Sequence, residues 1–431
     1  MASAGLPRGL WGAVRSQFTP IVSRSSIAPI ASPSTLRAFS SSSAQSLRNV
    51  NARPQPFKLP YFTPSSRSTF FYPSYSFSFP RSVTTAPSLP EIPRSLPYWL
   101  YGCSALVFGI VVIGGVTRLT ESGLSIVEWQ PFKGVIPPIT AAEWDAEWEK
   151  YRVSPEGVIF VIPAAYYVAR YKLPRPIPAK LALIGLGIGF QGFLGWWMVK
   201  SGLDQEIVET NSVPRVSQYR LAAHLTAAFL LYLGMLSTAI GIQRDVKLFN
   251  NPSIVSQLSL PSVKKFRGIV HGAGMMVFLT AVTGAFVAGL DAGLVYNEWP
   301  LMGGRIMPPT DELLDEHYTR GGTKSIWRNF LENPVTAQFD HRMLAYTTFG
   351  LVVSLPFVAR KLPFASTRRL AGLTAAAAVT QVTLGITTLL YLVPIPLAAM
   401  HQAGSVVLLT CIMALGGSLR RPSRMLKHLR R

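Results

Sequence analysis

The chain has 431 residues, of which 49% are apolar and 14% charged, with a mean hydropathy of +0.29 and a formal net charge of +21. A soluble domain carries about 25% charged residues, so the deficit points to lipid as the solvent and excludes an ordinary soluble enzyme. The two cysteines, Cys103 and Cys411, both lie in apolar runs, which excludes a disulfide framework, a CxxC redox pair and a cysteine metal site; any metal chemistry rests on six histidines.

Residues 1–90 hold nine basic residues, many serines and no acid before Glu91. That is the composition of a mitochondrial transit peptide with a flexible lead-in, and Arg37-Ala38-Phe39 is the expected processing region. The alternative is a disordered basic tail for nucleic acid, but no aromatic-basic module follows it, so no nucleic-acid partner is expected.

A membrane span needs about 20 apolar residues. Seven runs qualify, at 98–116, 181–199, 221–242, 268–290, 335–358, 370–392 and 399–418. An eighth, Gly157 to Ala169, is short and contains Pro163. The segments 170–180, 243–267, 360–369 and the tail after Ser418 carry 19 Lys and Arg against the single acid Asp245, whereas 120–156, 199–218 and 291–333 carry 9 against 17 acids. The positive-inside rule assigns the first set, and with it the C-terminus, to the matrix and the second to the intermembrane space. This alternation requires eight crossings, so the short segment is expected to cross as well.

The sequence repeats itself. Gly114, Glu121, Gly123, Leu124, Glu128, Trp129, Gly134, Ile136 and Pro138 recur 170 residues later as Gly284, Asp291, Gly293, Leu294, Glu298, Trp299, Gly304, Ile306 and Pro308. Gln191 and Gly195 recur 190 residues later as Gln381 and Gly385, and His224 and His401 each open the last helix of their half. The expected architecture is all-α, two fused four-helix transmembrane bundles: 91–243 as the N-terminal unit, 244–418 as the C-terminal unit and 419–431 as a basic matrix tail. The change of offset leaves the first unit twenty residues short. What it lacks is the counterpart of roughly 330–349, the stretch containing Asp340-His341-Arg342, so its second helix is truncated.

His341 and His401 fall in the first turns of the sixth and eighth helices, at one depth. Two imidazoles from different helices of a bundle can ligate a heme iron from both faces, and polar residues inside a span are costly and usually functional. A hydrogen bond to backbone or to Ser/Thr is the competing role for each. His224 takes the corresponding place in the first unit, with Arg220 one turn before it on the same face. Arg220 and Arg342 are candidates for heme propionates, against the alternative of headgroup-level charge. His271, His317 and His428 read as interface or solvent residues. Asp291 and Glu121 are expected to cap Gly-rich turns, the alternative being to fix those loops over a cofactor. Trp129, Trp144, Trp148, Trp196, Trp197 and Trp299 fall where interfacial belts form.

The motifs GGVTRLTESGLS (114–125), the GVIPP turn, QGFLGWWMVKSGL (191–203), YRLAAHL (219–225), GAFVAGLDAGLVYNEWPLMGG (284–304), ENPVTAQFDHR (332–342) and LAAMHQAG (397–404) resemble the heme A synthase family of cytochrome oxidase assembly over nearly all of 98–418. The resemblance implies a mitochondrial inner-membrane oxidoreductase that converts the C8 methyl of heme O to the formyl group of heme A. It also implies a heme b held by His341 and His401 in the C-terminal unit, and the substrate heme, met by His224, in the N-terminal unit. Family members carry a Glu three residues before a His-Arg pair in the second helix; this chain has neither, so no catalytic acid is assigned and the first heme site is half present. The gap reads as skipped coding sequence or as an inactive product. Heme O synthase, a redox carrier and the lipid bilayer are the implied partners, and homo-oligomerisation stays open. The rivals are a diheme b-type electron-transfer protein and a transporter; parallel repeats with no broken mid-membrane helix argue against the latter.

Overall fold

The computed structural model describes residues 92–120, 156–202, 215–319, 325–423. The leader, Glu121, the GVIPP turn, Trp129, Trp144, Trp148 and His428 lie outside them. The helices are α1 (Ser95–Leu119), α2 (Glu156–Arg170), α3 (Pro176–Lys200), α4 (Gln218–Asn250), α5 (Pro252–Gln257), α6 (Pro261–Gly289), α7 (Thr310–Leu313), α8 (Trp327–Glu332), α9 (Pro334–Ala359), α10 (Ala365–Leu390) and α11 (Ile395–Ser418). Seven of these, α1, α3, α4, α6, α9, α10 and α11, are long and apolar enough to cross a membrane. Each contains one of the seven runs expected from composition, apart from at most two residues at the run's C-terminal end, and the fold is that of an all-α membrane protein.

Local chemistry sets the helix starts. Proline occupies the first turn of α3, α5, α6, α9 and α11, where its fixed φ suits the helix and its missing N–H leaves nothing unpaired. Asn333 caps α9 through an acceptor bond from the Val335 N–H at 2.9 Å.

Helices α6, α9, α10 and α11 pack in a ring, with α6 against α9 and α11, and α10 between α9 and α11. Helix α4 packs against α1 and α3, and α4 and α1 also touch α11. Because lipid offers apolar side chains as good a solvent as each other, close packing and interhelical polar contacts hold such helices together. Tyr232 and Thr410 join α4 to α11 at 2.6 Å, Thr280 and Thr348 join α6 to α9 at 2.8 Å, and Gln402 donates to the Val111 carbonyl of α1 at 2.9 Å. That last approach requires Gly115, since a Cβ there would lie 1.6 Å from the Gln402 amide oxygen.

The molecule has two distinct ends. One gathers basic residues, among them Arg175, Lys264, Arg360 and Arg368; the other carries the loop between α6 and α9. The short helix α2 occupies only the basic half. Its Phe160 and Tyr167 pack with Leu96, Leu100 and Cys103 of α1, Ile177 and Leu181 of α3, and Ala239 and Ile242 of α4, and Trp99 stacks obliquely on both rings at 5.1 and 5.5 Å. Toward the loop end, Ile110 and Ile113 of α1 and Leu186 and Phe190 of α3 are left uncovered.

Candidate heme-ligand site

His341 lies two turns into α9, on the seam that faces α6. Its Nδ1 is 2.9 Å from the Thr283 hydroxyl oxygen, and that hydroxyl is 2.9 Å from the Thr280 carbonyl one turn back. The ring approaches α6 so closely that a Cβ on Gly284 would lie 3.2 Å from its Cε1. His401, in the second turn of α11, is seated on α10 in the same manner. A Cβ on Gly385 would approach its Cε1 to 2.8 Å, while the Gln381 amide nitrogen donates to the His401 carbonyl at 2.9 Å and lies 3.2 Å from its Nδ1. The two imidazoles are within electrostatic range of one another, and each keeps part of its surface accessible.

His224 on α4 repeats the arrangement with Gln191 of α3, whose amide nitrogen donates to the His224 carbonyl at 3.0 Å and lies 3.2 Å from Nδ1. The amide oxygens of both Gln191 and Gln381 are buried without a hydrogen-bond partner. Buried amide oxygens normally find a donor, so these two mark places where the polar accounting is incomplete without something more. Opposite His224 there is no second imidazole among the described residues: Gly114, the repeat counterpart of Gly284, has open space where Gly284 meets His341.

Among the described residues no group of three His, Cys, Asp or Glu could hold a free metal ion. Two imidazoles from different helices are nonetheless the donor set a porphyrin iron requires, because the macrocycle supplies the equatorial nitrogens. The glycine seats and the part-accessible histidines fit such a group.

Arg220 and Arg342 are placed differently from each other. Arg220 donates to the Trp197 carbonyl at 2.8 Å and lies over the Trp197 ring at 4.8 Å, half-buried at the loop end. Arg342 is buried, and its guanidinium donates to the carbonyls of Tyr296 at 2.8 Å and Leu301 at 3.2 Å. It shares the α6–α9 loop with Gln338, which donates to the Ala292 carbonyl at 2.7 Å, and with Asn297, which ties the loop to the Leu389 carbonyl of α10 at 3.0 Å. Within the loop, Gly303 and Gly304 take φ of +64° and +72°, a left-handed turn that glycine makes without steric penalty.

The capping role expected for Asp291 is not what forms. Asp291 has φ +48° and no capping bond; its carboxylate instead pairs with Arg118 of α1 at 3.2 Å and with Arg215. Arg118 also donates to the carbonyl of Ala288, its own repeat counterpart, at 3.2 Å. His271 bonds the Arg267 carbonyl at 2.7 Å, and His317 meets Tyr318 edge-on, as expected of residues outside the site.

Sequence reasoning missed Thr283, Gln338 and the trio Tyr219, Arg328 and Glu332. Tyr219 beside Arg220 donates to Glu332 at 2.8 Å, and Arg328 bonds the same carboxylate at 2.8 Å. Arg328 first, then Tyr219, hold the Glu332 carboxyl below its usual range. Only Thr283 left a trace in the sequence: the repeat copy at that position is Ile113.

The family described as cytochrome oxidase assembly protein, COX15-CtaA, matches residues 97–157 and 156–413. The chain is 44% identical over 377 residues to heme A synthase COX15 of Saccharomyces cerevisiae, covering 78% of this chain and 77% of that protein. It is 42% identical over 360 residues to heme A synthase COX15 of Homo sapiens, covering 76% and 83%. Over 385 residues it is 42% identical to a heme A synthase–mitochondrial ferredoxin fusion protein of Schizosaccharomyces pombe, covering 78% and 62%. A match across most of the membrane-spanning helices, at this identity to several relatives, leaves one conclusion: the chain belongs to the COX15-CtaA family of cytochrome oxidase assembly proteins.

Proposed function

We propose that this protein is built as a mitochondrial inner-membrane heme A synthase, which oxidises the C8 methyl of heme O to a formyl group, with its C-terminus in the matrix. The observation that carries the reading is the pair His341 and His401 on α9 and α11, each set against a glycine of the neighbouring helix, Gly284 and Gly385. These two would hold a resident heme b, which when bound supplies one-electron transfer. The chain's own residues do the rest. Gln381 and Thr283 orient the rings, Arg342 and Gln338 fasten the loop across the end of the bundle, and His224 with Gln191 meets the substrate porphyrin in the N-terminal unit, where Arg220 is within reach of its propionates. Methyl oxidation releases electrons, and the mitochondrial ferredoxin fused to the Schizosaccharomyces pombe relative supports a carrier of that class.

The N-terminal unit lacks half a helix. Two observations support this: α2 fills only the basic half of its unit, and the family match divides at 156–157. Skipped coding sequence accounts for both, and transcript sequencing across Ser154–Gly157 is expected to recover the missing codons. The test of function is expression with heme O synthase, followed by mass analysis of extracted heme. Restoring the second helix is expected to yield hydroxylated and formyl porphyrins, while His341→Ala or His401→Ala abolishes the low-spin bis-imidazole spectrum. A low-spin spectrum untouched by both substitutions refutes the ligand assignment, and unmodified heme O from the restored protein refutes the enzyme in favour of an electron-transfer cytochrome.

A further inference from the structure

We propose that Thr283 is a positioning residue that fixes the tautomer of His341, so that Nδ1 carries the hydrogen and Nε2 faces the iron bare. The inference rests on His341 being an axial ligand. An imidazole bound to iron through one nitrogen must give the hydrogen on the other to an acceptor, and that partner sets the ring's orientation and basicity. Thr283 is the side chain placed to accept it, 2.9 Å from Nδ1. A hydroxyl has one hydrogen and two lone pairs. Here the hydrogen has its own outlet in the Thr280 carbonyl, also at 2.9 Å, which leaves a lone pair turned toward Nδ1. The chain therefore runs from Nδ1–H to the Thr283 oxygen and from the Thr283 hydroxyl to the Thr280 carbonyl, every link on α6 or α9.

The repeat makes the device specific to one site. Gly284 and its copy Gly114 are both kept, but Thr283 is replaced in the first unit by Ile113, a side chain that can accept no hydrogen bond and that is 64% exposed. The glutamine contact, by contrast, is present in both units, as Gln191 and Gln381. A resident heme benefits from a ligand locked in its binding tautomer. A substrate porphyrin, which must leave after each turnover, does not. The hydroxyl stands at the site read as resident and is missing from the site read as exchanging.

The experiment compares Thr283→Val, Thr283→Ser and Thr374→Val in the full chain, purified in detergent with heme b. The readouts are the optical and electron paramagnetic spectra, the heme midpoint potential, and the rate of heme transfer to apomyoglobin. Losing the acceptor makes His341 a poorer donor to ferric iron, so Thr283→Val is expected to raise the potential and to speed heme loss about ten-fold, the lower end of what outer partners of metal ligands contribute. Thr283→Ser restores both values. Thr374→Val removes a buried hydroxyl of α10 whose bond is to the Leu370 carbonyl of its own helix at 2.8 Å, and leaves them unchanged. Thr283→Val with wild-type potential and heme loss overturns the inference, as does a Thr374→Val effect of equal size. A wild-type protein with no low-spin spectrum overturns the ligand assignment itself, and the inference with it.

Discussion

Adding one methyl group to the seat of His401 tests the site without touching a ligand. In Gly385→Ala the new Cβ falls 2.8 Å from the ring's Cε1, about 0.6 Å inside the 3.4 Å at which ordinary contact begins. In Gly284→Ala the corresponding distance to His341 is 3.2 Å, a shortfall of about 0.2 Å, and in Gly372→Ala, on the same helix as Gly385, nothing lies within 4 Å. Overpacking a fitted interior costs about 1–3 kcal/mol, and about 1.4 kcal/mol is a factor of ten in binding. Gly385→Ala is therefore expected to weaken heme binding by roughly 5- to 150-fold. Gly284→Ala is expected to weaken it by no more than about 5-fold, and Gly372→Ala not at all. The gain of about 0.5–1 kcal/mol from replacing a helical glycine acts equally with and without heme and so cancels from the affinity. Titration of each purified variant with heme b, followed by the reduced-minus-oxidised difference spectrum, measures the series. Full heme affinity in Gly385→Ala, or a loss in Gly372→Ala as large as in Gly385→Ala, refutes the seat.

Two further outcomes follow from contacts at the loop end. Arg118→Ala strips a donor from the Ala288 carbonyl and from Asp291, and is expected to lower stability in detergent by about 1 kcal/mol or more, whereas loss of the half-exposed Arg215 costs between about 0 and 1 kcal/mol; equal losses of melting temperature would contradict the difference in burial. Glu332, whose carboxyl is held below its usual range by Arg328 and then Tyr219, contributes stability that is present above the unfolded carboxylate pKa of about 4.3 and lost as pH falls through the folded value. Glu332→Gln should therefore be less stable than wild type above about pH 5, with the gap closing on acidification; thermal melts across that range read it, and a gap that does not change with pH discounts the ion pair.

The membrane-spanning helices were legible because a run of apolar residues of bilayer length has one stable solution, and Pro176, Pro261 and Pro334 mark starts that local sterics enforce. His224 and His401 were legible as costly polar residues at repeated positions, and His341 as one within a neighbouring span. The partners that orient them were less so. Gln191 and Gln381 stood out as repeated residues, but nothing in their spacing reveals that each reaches a carbonyl 33 or 20 residues away. Gln338, Asn297 and Arg342 all donate to loop carbonyls, and a carbonyl's position depends on the folded loop and leaves no mark in composition. Asp291 misled because a carboxylate beside a Gly-rich turn resembles a cap until the left-handed backbone at that residue turns it toward Arg118 and Arg215. The repeat held one more clue: where two copies agree on Gly284 and Gly114 but differ at Thr283 and Ile113, the difference distinguishes the tasks of the two halves.

The half-length α2 has a consequence for the surrounding lipid. Fifteen residues at about 1.5 Å each make a rod about 22 Å long, set among neighbours that span a hydrocarbon layer about 30 Å deep. Such mismatch costs fractions of a kcal/mol per ångström, so this form of the protein would be most at ease in thin bilayers and increasingly strained as acyl chains lengthen.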